Sequence, residues 1–78
     1  MDYNLEELTC RLKQGDFLEL TTGGGVFEVW AEPYANPPSV YYEGEQFPLS
    51  ELETIAKRIL DAIQNGEVRL RWVDKRDD

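Results

Sequence analysis

The chain has no histidine, a single cysteine, and no lysine or arginine anywhere between Gln14 and Ala56. Each absence excludes something. Without histidine there is no Ser-His-Asp or Cys-His catalytic arrangement, and the commonest metal ligand near neutral pH is missing. With Cys10 alone, no intramolecular disulfide forms and no Cys-x-x-Cys spacing exists, which fits a reducing compartment. No apolar run approaches the roughly 20 residues of a membrane-spanning helix. The opening Met-Asp-Tyr-Asn-Leu-Glu-Glu has neither a basic nor an apolar leader segment, so a cytoplasmic protein is expected.

What the chain does have is acid. Its 78 residues carry 16 Asp plus Glu against 8 Lys plus Arg, a formal charge of −8. Eight of the acids lie between Gln14 and Ala56, and all eight bases lie in the flanks. Such a field repels nucleic acid and anionic membrane and favours a protein with a basic surface as partner. Solubility alone is the competing explanation for an acidic chain. With 41% hydrophobic residues and 12% aromatics the chain is too apolar for disorder. It is expected to form a single domain over residues 1–74 with a frayed tail at 75–78. A domain this small buries only about 60–65% of its unfolded surface, so its stability margin is thin.

The order of elements follows from periodicity. Asn4 precedes Leu5, Leu8 and Leu12, whose spacing puts them on one face of a short helix that Gly15 ends. Asp16 to Thr22 and Val26 to Glu32 alternate as strands, with Gly23-Gly24-Gly25 as the hairpin turn between them. Leu18, Leu20, Phe27, Val29 and Ala31 are assigned to the core, and Glu19, Glu28, Trp30 and Glu32 to the opposite face. Pro33, Pro37 and Pro38 force the chain out of the sheet. Ser39 to Gly44 returns as a strand, and Glu45 to Pro48 follows as a short one. Ser50-Glu51-Leu52-Glu53 matches a capping box, which predicts a helix from Ser50 with an apolar stripe from Leu52 to Ile63 and a stop at Asn65-Gly66. Glu67 to Asp74 closes the chain as a strand. The fold class is therefore α+β: an antiparallel sheet of four or five strands with both helices packed on one face, in the order α-β-β-β-(β)-α-β.

The residue patterns that suggest chemistry have simpler explanations. A phosphate loop needs a Lys-Ser/Thr and a helix after its glycines, whereas a strand follows Gly25. Glu43 and Glu45 have neither the spacing of a calcium loop nor a cleft to serve. Cys10 is expected to be a small buried or half-buried apolar residue. No catalytic residue, metal ligand or cofactor is assigned.

The acidic block is better suited to binding. If Glu43 and Glu45 lie on extended chain they stand about 7 Å apart on one side, and Glu19 and Glu28 are candidate cross-strand neighbours. Like charges directly opposite one another destabilise a sheet, so such a cluster needs either internal partners, for which Arg69 and Arg71 are available, or an external one. Glutamates interleaved with aromatics suit a surface that fills a basic nucleic-acid groove with substitute charges, a DNA mimic. The candidate partner-binding residues are Glu19, Glu28, Trp30, Tyr34, Tyr41, Glu43 and Glu45. A structural or adaptor subunit that associates through the aromatic face or a sheet edge is the alternative; monomer and homodimer are both open.

The segment Tyr41-Tyr42-Glu43-Gly44-Glu45-Gln46-Phe47-Pro48, followed by an apolar helix, Gly66 and a strand reaching Trp72, resembles the C-terminal half of bacterial polymorphic-toxin immunity proteins. The resemblance covers about residues 40 to 73. It implies a non-enzymatic inhibitor that neutralises a basic bacterial toxin, often a nuclease or deaminase. Phage anti-CRISPR proteins are similar in size and acidity without a shared motif.

Overall fold

A computed structural model describes residues 4–73; the predicted tail at 75–78 lies outside them. The first helix, α1 (Leu5–Lys13), starts where Asn4 Oδ1 accepts the Glu7 N–H at 2.7 Å, with Glu6 and Glu7 in the turn where the helix dipole favours acids. It stops at Gly15, whose φ of 99° only glycine adopts without strain. There Gly15 N–H donates to Leu12 O and Asp16 N–H to Arg11 O. The second helix, α2 (Leu52–Gln64), ends in the same way, with Gly66 N–H on Ile63 O and Glu67 N–H on Ala62 O.

Between and after the helices run β1 (Phe17–Thr22), β2 (Gly25–Glu32), β3 (Ser39–Tyr42), β4 (Glu45–Pro48) and β5 (Val68–Val73). They form one antiparallel sheet in the order β4-β3-β2-β1-β5, so β4 and β5 are its edges. Gly23-Gly24 turns β1 into β2, and Thr22 Oγ1 closes the turn by accepting from Gly24 N–H and donating to Gly25 O. Glu43-Gly44 turns β3 into β4, both at positive φ, 55° and 79°.

The expected α+β architecture is the observed one. Alternation sends Leu18, Leu20, Val29, Ala31 and Val40 to the face that both helices cover, where they meet Leu8, Leu12, Leu52, Ile55, Ala56 and Ile59. Leu18, Val29, Val40, Leu12 and Ala56 are wholly inaccessible. At roughly 25 cal/mol per Å² of apolar surface, this single layer supplies most of the driving force for folding.

Two local expectations fail. The capping box does not form: Leu49 N–H donates to Pro38 O at 3.0 Å, and Leu49–Glu51 winds as a 3-10 turn before α2 begins, with Glu51 at the N-cap and no side-chain cap bond. The tie to the proline loop fixes the entry of the chain, and Ser50 is left on the surface. Cys10 is exposed, not buried. It is two positions from both Leu8 and Leu12, about 200° around the helix from each, so it faces away from the core.

Candidate functional site

The face of the sheet opposite the helices is where most of the candidate residues meet. Among the described residues no helix or strand packs on it. Register sets its contents. Trp30 pairs with Tyr41 on β3, and counting back from the Gly23-Gly24 turn puts Phe17 across from Trp30 on β1. Phe17 in turn pairs with Val73 on β5, and Tyr41 with Gln46 on β4. One row of side chains, Gln46, Tyr41, Trp30, Phe17 and Val73, therefore runs across all five strands.

Its centre is a three-ring stack. Trp30 and Tyr41 have centroids 4.8 Å apart with planes 14° from parallel, and Trp30 and Phe17 are 5.4 Å apart at 20°. These separations match the spacing of adjacent strands, about 4.8 Å, so the rings stand side by side on neighbouring strands. Both faces of Trp30 are occupied, and Trp30 Nε1–H donates to Glu32 Oε2 at 3.1 Å. Trp30 is consequently a fixed element and not a freely swinging side chain.

Beside the aromatic row runs an acidic one. Glu19 and Glu28 are direct cross-strand partners, and Arg71 on β5 is the partner of Glu19 on its other side. Arg71 Nε donates to Glu19 Oε1 at 3.0 Å, and this bond raises the pKa of the guanidinium above its ordinary value. The expected internal pairing of Arg71 with the acidic face is thus present. Arg71 is exposed, and an exposed pair contributes little to stability. Glu43 follows Tyr42 in the β3–β4 turn, where continuing the β2–β3 register brings its backbone level with Glu28.

Two candidates lie elsewhere. Tyr34 is 97% exposed in the loop between β2 and β3, outside the stack. Glu45 pairs with Tyr42, whose side chain faces Phe27 and Phe47 on the helix side of the sheet. Glu43 and Glu45 are therefore not neighbours on one strand face, because Glu43 and Gly44 together make the turn. Phe17 belongs to the site and was not among the sequence candidates. Its alternation with Leu18 was the available signal, and the length of the glycine turn would have aligned it with Trp30.

Outside this face, an open groove of about 550 Å³ lies between α1 and the start of α2, with Leu5, Leu49 and Leu52 among its walls. Among the described residues no three His, Cys, Asp or Glu side chains gather at a metal-binding distance, and no helix is long and apolar enough to cross a membrane. Burial raises the pKa of the Tyr42 phenol, Glu43 raises it further, and Arg58 opposes both.

Compared with family models, curated proteins and solved structures, the chain has no match. Its function has to follow from the chemistry of this face.

Proposed function

We propose that the protein is a small, acidic, non-enzymatic inhibitor that binds a basic, nucleic-acid-processing bacterial protein on the outer face of its sheet. Toxin immunity and anti-CRISPR action are the two settings this reading allows. The observation that supports it is the juxtaposition of Glu19 and Glu28 beside the Phe17–Trp30–Tyr41 stack. Like charges held directly opposite cost stability, and a stacked aromatic row left at the surface forgoes burial. Arg71 already offsets part of the charge cost through Glu19, and a basic partner that covers the face adds to this and buries the rings. Carboxylates then speed encounter, and the aromatic row slows dissociation. The nucleic-acid groove of a nuclease is a basic surface of this kind.

The adaptor alternative draws on the same stack but makes the aromatics dominant, and salt separates the two. Affinity capture is run with the wild-type chain and with Glu28→Lys/Glu43→Lys at low and high salt. The inhibitor reading expects a stoichiometric basic protein that is lost at high salt and lost with the variant, and whose activity on nucleic acid is blocked by the wild-type chain. A salt-insensitive complex that survives charge reversal would establish the adaptor instead.

A further inference from the structure

The two rows on the outer face are parallel, and their spacing carries information about what they receive. They cross the strands, so each step from one side chain to the next is one strand interval, about 4.8 Å. The ring separations of 4.8 and 5.4 Å show that the side chains keep this step above the backbone. The acids Glu28 and Glu19 take the same step on β2 and β1, with Arg71 at the β5 end and Glu43 level with Glu28 in the turn that follows β3.

A partner segment that reads both rows along their length must repeat its own side chains at a similar distance. An extended strand repeats one face every 6.6–6.8 Å or so and falls out of step after two residues. A helix brings neighbours at i+3 and i+4 to about 5–6 Å, close to the step of the rows. The rows lie about 6.8 Å apart along the strands, inside the roughly 10 Å width of one helix. A single helix lying across the strands covers both.

We propose that the partner element recognised by this face is a basic amphipathic helix. Its apolar stripe lies on Tyr41, Trp30 and Phe17, and lysines or arginines on one flank lie on Glu43, Glu28 and Glu19. Five strands span about 19 Å from β4 to β5, which about 13 helical residues cover. The charge along the acidic row also sets direction. The positive N-terminal end of the helix belongs over the Glu43 end, and its negative C-terminal end over Arg71. Because both faces of Trp30 are already stacked, the helix's cations are held by the carboxylates and not on the Trp30 ring. This inference rests on the outer face being the binding surface and adds the form of the partner.

The test uses three synthetic 14-residue peptides of identical composition, free of tryptophan, titrated calorimetrically into the full chain. The first places Leu at helical spacing with Arg on one flank, the second alternates Leu and Arg as a strand would, and the third is scrambled. The helical peptide is expected to bind at least tenfold more tightly than the other two. Glu28→Lys/Glu43→Lys and, separately, Trp30→Ala should each weaken it tenfold or more, while Glu6→Lys/Glu53→Lys on the helix side leaves it unchanged. Circular dichroism verifies that each variant is folded, and the glutamate pair keeps the test decisive should Trp30→Ala unfold. Equal binding of all three peptides, or binding indifferent to the outer-face variants, overturns the helix proposal. If the helix preference is absent while outer-face charge reversal still abolishes capture of the native partner, the proposed function stands and only the form of the partner falls.

Discussion

The guanidinium carbon of Arg11 sits 4.1 Å from the centroid of the Trp72 ring, which joins the last turn of α1 to the last strand of the sheet. The same side chain donates from Nε to Asp16 Oδ2 at 2.8 Å, and Asp16 N–H returns a bond to Arg11 O. One residue thus fastens the first helix, the chain reversal after it, and the closing strand. Asp16 is only 9% exposed, so its carboxylate depends on the partners it has.

Replacing Arg11 with alanine should therefore cost about 2 kcal/mol, from the lost charged hydrogen bond and the lost cation–π contact. Arg11→Lys should recover less than half of that, because an ammonium cannot both bond Asp16 and lie flat on Trp72. Urea unfolding followed by circular dichroism measures both. Equal stability of the two variants and wild type would show that the contact contributes nothing.

Trp30→Ala should separate binding from folding. Trp30 is half-exposed and lies on the face away from the core, so its loss is expected to cost about 1–2 kcal/mol, below the 3–5 typical of buried aromatics. Partner capture should fall at least tenfold. Tyr34→Ala, in the loop, should alter neither stability nor capture measurably. A loss of capture with Tyr34→Ala would move the site toward the loop.

Most of the architecture could be read from the chain because its signals are local. Asn4, Gly15 and Gly66 punctuate helices, and Leu18/Leu20 against Glu19 fixes which face of β1 is buried. What escaped notice depends on contacts distant in sequence. Leu49 donates to Pro38 O, and that bond replaces the capping box at Ser50. The stack needs β3 placed beside β2 across a loop with three prolines, and no period in the sequence specifies that register. The exposure of Cys10, by contrast, followed from its phase relative to Leu8 and Leu12. The two-residue turn also decided Glu43: alternation alone made it a strand neighbour of Glu45, whereas the turn puts it at the tip.

Glu43 occupies a left-handed conformation that suits Asn or Gly better. Glu43→Asn should stabilise the fold by about 0.5–1 kcal/mol and at the same time weaken partner capture. Opposite signs for the two effects would mark Glu43 as kept for binding. Thermal unfolding and capture on the same preparation decide it, and unchanged capture would remove Glu43 from the site.

Tyr42 gives a pH signature. Burial raises its pKa, so the folded state keeps the phenol proton longer than the unfolded chain does. Its contribution is intact below the ordinary tyrosine value near 10 and is lost as pH climbs through the higher folded value. Tyr42→Phe should be within about 0.5 kcal/mol of wild type at pH 7. It should lose less stability than wild type as pH climbs above about 10. Parallel alkaline curves for the two proteins would rule out this coupling.

The two borders of the sheet differ in a way that bears on how the protein behaves when crowded. Strand β4 is four residues long and finishes at Pro48, which has no N–H to offer an incoming chain. Strand β5 is longer but projects Arg69 and Arg71 from its outward side, so two such borders brought together antiparallel oppose like charges. Neither border is a good template for another molecule of the same kind. A chain of this size can then accumulate to high concentration without growing into fibres.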